Sequence, residues 1–260
     1  MKFDPAVLEK RLTGPRNGIL KIVVIDCAYD TMDNVQTQTL LAKTVAMKIR
    51  GYLKHYPYGA LPADAGDFVG THVLLCEEQN GGLEPLMGMK FTTGARCLTH
   101  HLEFPLLHVV DRRFAEHHHA VEAALNEIIK ANESFGYSAS WTMDEEARKD
   151  PNFANFCKHL NIAFFYHYAK TYEVKNLFAA ATLRFKVEQW KLFLGYLPLE
   201  NNGVPLPAIE CIPFFNEPIL LMHLRKFRPE VCIYAEQFNY LWNRRLTLGR
   251  ANVVQIKIAA

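Results

Sequence analysis

The stretch that most constrains the fold runs from Phe153 to Tyr196. Phe153, Phe156, His159, Leu160, Ile162, Ala163, Tyr166, Ala169 and Tyr172 trace an apolar stripe at the period of an α-helix. A short apolar run of strand length follows, Asn176-Leu-Phe-Ala-Ala-Ala-Thr182. Leu183 to Leu194 is helical again, and Gly195 is placed as its C-terminal cap before Tyr196. A strand held between two helices belongs to a sheet with helices against its faces, so the class is α/β or α+β.

Other segments supply the rest of such a sheet. Ile19 to Ala28 (ILKIVVIDCA) is short and rich in β-branched residues, which predicts a strand buried on both faces and therefore central. Turn and cap residues from Tyr29 to Asn34 precede a long helix over Val35 to Tyr52. THVLLCE from Thr71 and PLMGMKFTT from Pro85 read as a hairpin, because Gln79-Asn-Gly-Gly82 offers the positive φ angles of a tight turn. Phe104 to Asp111 (FPLLHVVD) reads as a further strand, Ala115 to Asn132 as a helix, and polar Ser134 to Pro151 as an excursion between core elements. Ala208 to Phe215 and Pro218 to Lys226 are strand-like, and an aromatic-rich helix follows from about Ala235 to Arg245. No repeat or linker divides the chain. The expectation is one domain over 1–260, with an inserted helical excursion at about 115–150 and a tail helix at about 228–250.

Composition narrows the classes. Half of the 260 residues are hydrophobic, enough for a sizeable core, and 29 basic against 27 acidic residues leave a net charge of +2. That balance gives no electrostatic case for nucleic acid, so any anion site is local. The six cysteines form no CxxC pair and sit mostly in apolar runs, which points to reduced thiols in a reducing compartment. Met1 to Gly18 lacks the shape of a signal peptide, and no apolar run reaches the roughly 20 residues that span a bilayer, so a cytoplasmic protein without a membrane span is expected.

The order strand, long helix, hairpin, strand, helix, strand, helix ending in Gly-Tyr, then a last strand before a tail, resembles the GNAT family of N-acetyltransferases over most of 19–226. In that family the fourth and fifth strands splay apart, and their unpaired backbone groups hold the pantetheine arm of an acyl donor. The resemblance implies a mixed central sheet flanked by helices, with Leu106 to Asp111 and Leu177 to Thr182 as the splayed pair. A narrower similarity covers Asp64-x-x-Asp67, THVLLCEE, Met87-Gly-Met-Lys-Phe-Thr-Thr-Gly94 and Phe104-Pro-Leu-Leu107. These look like the acyl-homoserine lactone synthases and N-acyl amino acid synthases, with Lys90 in place of an arginine. Two family features are altered. The segment assigned to the pyrophosphate loop, Asp111 to Glu116, has no glycine, and the tyrosine that protonates the leaving thiolate falls on Lys191.

The resemblance implies an N-acyltransferase moving an acyl group from acyl-CoA or an acyl-phosphopantetheine on an acyl carrier protein to a small amine such as an amino acid. No tightly bound cofactor is expected. Glu103 is the general-base candidate and His108 a second one, against a solvated glutamate and a core histidine. Val109, Val110, Asp111, Ala180, Ala181 and Thr182 would line the donor arm, with Arg112 and Arg113 for its phosphate. Asp67, Lys90, Thr92 and Thr93 would line the acceptor pocket. His117, His118 and His119 point three ways on a helix, so no metal site is expected. Phe164, Phe165, Tyr166, Tyr168, Tyr172, Phe214, Phe215 and Tyr234 form either an acyl pocket or ordinary core, and the tail helix is either packed or a homodimer surface. Two other classes stay open: a GNAT-shaped binding or regulatory module without catalysis, and a cysteine hydrolase using Cys97 with His100 or His101.

Overall fold

The computed structural model describes residues 12–56, 63–110, 112–211 and 216–250. Their elements are β1 (Ile19–Asp26), α1 (Val35–Leu53), α2 (Ala65–Val69), β2 (Thr71–Gln79), β3 (Gly82–Thr93), α3 (Gly94–Thr99), α4 (Pro105–Val109), α5 (Ala115–Lys130), β4 (Phe135–Met143), α6 (Glu145–Lys149), α7 (Pro151–Thr171), β5 (Asn176–Thr182) and α8 (Val187–Leu194). The chain continues through β6 (Leu197–Pro198), β7 (Glu200–Asn201), β8 (Val204–Pro205), β9 (Ile209–Cys211), β10 (Glu217–Leu224), α9 (Pro229–Glu236), α10 (Asn239–Trp242) and β11 (Leu246–Leu248).

One sheet organises these elements, in the order β11-β1-β2-β3-β4-β5-β10-β6, with β9 also paired to β10. β1 with β11 and β4 with β5 are parallel, and the remaining pairs are antiparallel. The β2–β3 hairpin turns at Asn80 and Gly81, both at positive φ, as the Asn-Gly step requires. β1 is buried, as its β-branched run predicts, because helices cover both faces, but it is not central: it lies second from the edge of the sheet, with only the short β11 outside it. α7 packs on one face: Phe153, Phe156, Leu160, Ala163 and Phe164 join Val73, Leu75, Phe91 and Leu177 in the largest core. α1 and α5 cover the other face, through Leu40 and Leu41 against Leu74 and through Val121 and Leu125 near Tyr137 and Phe178.

α7 begins where the sequence predicts a helix. Asp150 accepts hydrogen bonds from the amides of Asn152 and Phe153, and Pro151 occupies the first turn, where its missing N–H costs nothing. The helix is apolar on nearly all sides because α9 covers what the sheet does not. Tyr234 Oη lies 2.5 Å from His159 Nδ1, and His167 Nε2 lies 2.9 Å from the carbonyl oxygen of Ala235. Phe164 and Tyr168 are core, not pocket; Phe214 and Phe215 lie outside the described residues.

Three sequence expectations need correction. Leu106 to Asp111 is not the fourth strand: its described part is α4, started by Pro105, and Asp111 lies outside the described residues. A short apolar run carries no period of its own, and Val109-Val110 suggested strand where Pro105 suited a helix start. The fourth strand is β4, within the polar stretch read as an excursion. Its sequence, FGYSASWTM, contains few β-branched residues because much of it faces a cleft instead of a core. Third, the tail is not one helix but α9, α10 and then β11, which pairs with β1.

Candidate active site

β4 and β5 pair only at Phe135, Gly136 and Tyr137 with Asn176, Leu177 and Phe178. Beyond Tyr137, β4 continues to Met143 beside β3, whereas β5 continues to Thr182 beside β10. The two strands therefore diverge, leaving facing backbone edges unpaired with each other. A bulge lies just past the divergence: Gly88 pairs with Thr142 but Lys90 with Ala139, so β4 carries an extra residue there. Ser140, within the bulge, has φ 58, an uncommon conformation for serine.

A cavity of about 500 Å³ fills the gap. β4 contributes Tyr137 to Met143, β5 contributes Ala180 and Thr182, α1 contributes Tyr52, the turn after it contributes His55 and Tyr56, and α7 and α8 close it with Ile162, Phe165, Trp190, Lys191 and Leu194. Its cations are Arg148, Lys158 and Lys191, and no carboxylate is among the described residues that line it. Two lining side chains hold buried polar atoms with no hydrogen-bond partner among the described residues, Trp141 Nε1 and Asn161 Oδ1.

Lys191 sits at the base of the cleft and is only 7% exposed. Its Nζ donates to Ser138 Oγ at 3.0 Å and lies 4.0 Å from the Phe165 ring centre and 4.8 Å from that of Tyr196. Desolvation lowers its pKa to about 7. Two features of α8 put it there. Val187, Lys191 and Leu194 share the inward face at helical spacing, and Gly195, at φ 112, ends the helix so that the Tyr196 ring turns back beside the amine. A Cβ at Gly195 would lie 2.6 Å from the Lys226 carbonyl oxygen, so glycine is required on two counts.

Next to the bulge lies a buried ion-pair cluster. Lys48 Nζ is 2.9 and 2.6 Å from the two carboxylate oxygens of Asp67, and Lys90 Nζ is 3.1 Å from Asp67 and 2.7 Å from Asp64. Burial pushes the Asp67 carboxyl up, but Lys90 and Lys48 together hold it below the ordinary aspartate value. His72 is desolvated to a pKa of about 4 and holds the Asp67 carbonyl oxygen at 2.8 Å. Asp67 and Lys90 are thus brought together, as a mutual pair. Thr92 is buried on β3, and Thr93 caps α3 by accepting from the Arg96 amide.

The remaining expected residues fall away from the cleft. Glu103 and His108 are exposed and 3.9 Å from each other, beside α4 and off the cavity wall. Val109 and Val110 end α4, and Arg112 and Arg113 are exposed beyond it, so none of them faces β5 across the splay. Of the β5 trio, Ala180 and Thr182 line the cavity, while Ala181 is in the core. Burial raises the Cys97 thiol to a pKa of about 11, which disfavours the thiolate, and His100 Nε2 meets the Cys27 sulfur at 3.8 Å. The three histidines diverge: His117 bonds the Pro207 carbonyl, His118 meets Glu122, and His119 is exposed. Among the described residues no cluster of three or more His, Cys, Asp or Glu could hold a metal, and no helix is long and apolar enough to cross a membrane.

The sequence marks Lys191 only as a replaced tyrosine and gives no local signal for Ser138, Trp141 or Asn161. A lysine at an inward helical position between Trp190 and Leu192 was the one available signal.

No protein-family model and no curated protein matches the chain. Solved structures do. The CoA-dependent acyl-homoserine lactone synthase BjaI is similar over 88% of this chain and 92% of its own, with a TM-score of 0.50 and 9% identity. The synthase LasI covers 83% of this chain and 94% of its own at 0.48 and 11% identity. FeeM, an N-acyl amino acid synthase from uncultured soil microbes, covers 80% and 92% at 0.48 and 11%.

The fold is GNAT-like.

The segment that follows the fourth strand joins β4 to α7. It is Asp144 to Asp150, contains α6, and has no glycine. Asp144 and Asp150 accept from the first amides of α6 and α7, so side-chain carboxylates already occupy the helix N-terminus at which an anion would bind. Arg148 and Lys158 are the cations of this region that reach the cavity.

Proposed function

We propose that this chain is an N-acyltransferase that takes an acyl group from a pantetheine thioester, carried by coenzyme A or by an acyl carrier protein, and gives it to a small amine such as an amino acid. The observation that carries this reading is the cavity between the diverging edges of β4 and β5, whose facing backbone groups are not paired with each other beyond Tyr137 and Phe178. An amide-bearing arm satisfies the free strand edges. Ile162, Phe165, Val187, Trp190 and Leu194 give the acyl chain an apolar wall.

Attack of an amine on a thioester expels a thiolate and releases a proton. Lys191, with a pKa of about 7 and no carboxylate partner in the cavity, exchanges a proton at neutral pH and stands where the family resemblance expects a tyrosine. Arg148 and Lys158 meet the donor's phosphate or the acceptor's carboxylate. Self-capping of α7 by Asp150 favours a donor held mainly by its arm, as a carrier protein presents it, over one gripped by its pyrophosphate. Reduced cysteines agree with a cytoplasmic setting.

The second reading is a GNAT-shaped module that binds acyl thioesters without turning them over, favoured by the same occupied helix terminus. Thiol release from matched acyl-CoA and acyl-carrier-protein donors, with a panel of amines, separates the two. Amine-dependent release supports the enzyme. Thioester-induced thermal stabilisation without release supports the module, and absence of both overturns the acyl-thioester assignment.

A further inference from the structure

Direct transfer needs an amine, a thioester and somewhere for a proton to go. The floor of the cleft holds more than that. Ser138 is the first residue of β4 past the last pair with β5, so it stands at the vertex where the strands part. It is 4% exposed and lines the cavity with Lys191. Ser138 Oγ lies 3.0 Å from Lys191 Nζ, 3.2 Å from the Phe178 carbonyl oxygen and 3.3 Å from Tyr196 Oη. The rings of Phe165 and Tyr196 hold the amine in place without a carboxylate to fix its charge. As an ammonium, Lys191 donates to Ser138; as a neutral amine, it accepts the serine proton across the same contact.

We propose that Ser138 is an acyl-accepting nucleophile served by Lys191, so that the acyl group rests on Ser138 as an ester between donor and acceptor. This rests on the acyl-thioester reading above and adds a covalent stage to it. A serine beside a lysine base is a sufficient pair for acyl transfer. Ser138 Oγ bonds to the thioester carbonyl carbon while its proton passes to neutral Lys191. The carbon–sulfur bond then breaks, and the Lys191 ammonium returns that proton to the departing thiolate, giving free thiol and the Ser138 ester. In the second half the acceptor amine attacks the ester carbonyl and yields its proton to Lys191. The carbon–oxygen bond breaks, Ser138 recovers the proton, and the amide leaves.

The test is to mix the full chain with dodecanoyl-pantetheine in the absence of amine, quench in acid and weigh the intact protein. The expected result is a single added dodecanoyl group, released by alkaline hydroxylamine and mapped to Ser138, with a matching burst of thiol. Ser138→Ala abolishes the adduct. Ser138→Cys keeps a nucleophile and converts the adduct to a thioester cleaved by neutral hydroxylamine. Lys191→Met slows its formation by about 100-fold or more. A hydroxylamine-resistant adduct on Lys191 overturns the proposal. So does amine-dependent thiol release that Ser138→Ala leaves intact, in which case direct transfer stands. Failure of any donor to release thiol or bind removes the acyltransferase reading itself.

Discussion

Lys48 Nζ lies within 2.9 Å of both carboxylate oxygens of Asp67, and the two side chains are 5% and 1% exposed. A second lysine, Lys90, reaches the same carboxylate at 3.1 Å. Removing Asp67 leaves the buried Lys48 without its carboxylate beside Lys90, which keeps Asp64, and an uncompensated buried cation costs far more than the pair contributes. Asp67→Asn should therefore destabilise the chain by about 3–5 kcal/mol, measured by denaturant unfolding. A loss below about 1 kcal/mol would show that the lysines find water or another partner.

Lys191 links stability to pH. Its pKa in the folded chain, about 7, lies below the ordinary lysine value of 10.5, so between those values the unfolded chain holds a proton that the folded chain has released. Stability should rise with pH across that window. Lys191→Met should flatten the rise and stabilise the protein most below pH 7, where wild type buries a full charge. Melting curves of the two proteins from pH 6 to about 10 check this, and parallel curves would refute it.

Trp141→Phe keeps the ring and deletes the unpaired Nε1 donor. Loss of one hydrogen bond of about 1 kcal/mol should raise KM for an acyl thioester about 5-fold with little change in kcat or melting temperature. Unchanged KM would mean that the indole faces no ligand group.

Gly195→Ala places a side chain at φ 112 and against the Lys226 carbonyl. It should cost about 1–3 kcal/mol in thermal or chemical unfolding and displace Tyr196 from Lys191, lowering thiol release further than the stability loss explains. Full activity in the folded fraction would separate the turn from the site.

Glu103→Gln and His108→Ala alter exposed side chains off the cavity. Both should retain thiol release within about 2-fold, whereas a drop of 100-fold in either would return the base to α4.

The parts of the fold legible in the sequence are those with local signals. The β2–β3 hairpin has its Asn-Gly step, α7 has its stripe and its Asp150-Pro151 start, and α8 has Gly195. The fourth strand was not legible for a reason bound to its role. A strand that loses one neighbour and lines a cleft has no continuous apolar face, so β4 shows serines and threonine where a core strand shows valine and isoleucine. Misplacing that strand moved the expected catalytic and donor residues onto α4.

By itself the sequence determined the long helices α1, α5 and α7, the capped α8, the β2–β3 hairpin and that β5 lies between two helices, because capping, turn chemistry and periodicity act over a few residues. Tertiary structure decided the site. Ser138 and Lys191 are 53 positions apart and meet only because β4 leaves β5 after three pairs and α8 folds across the gap. Nothing local in either segment encodes that meeting, and the near-neutral amine of Lys191 arises from burial that the assembled core imposes.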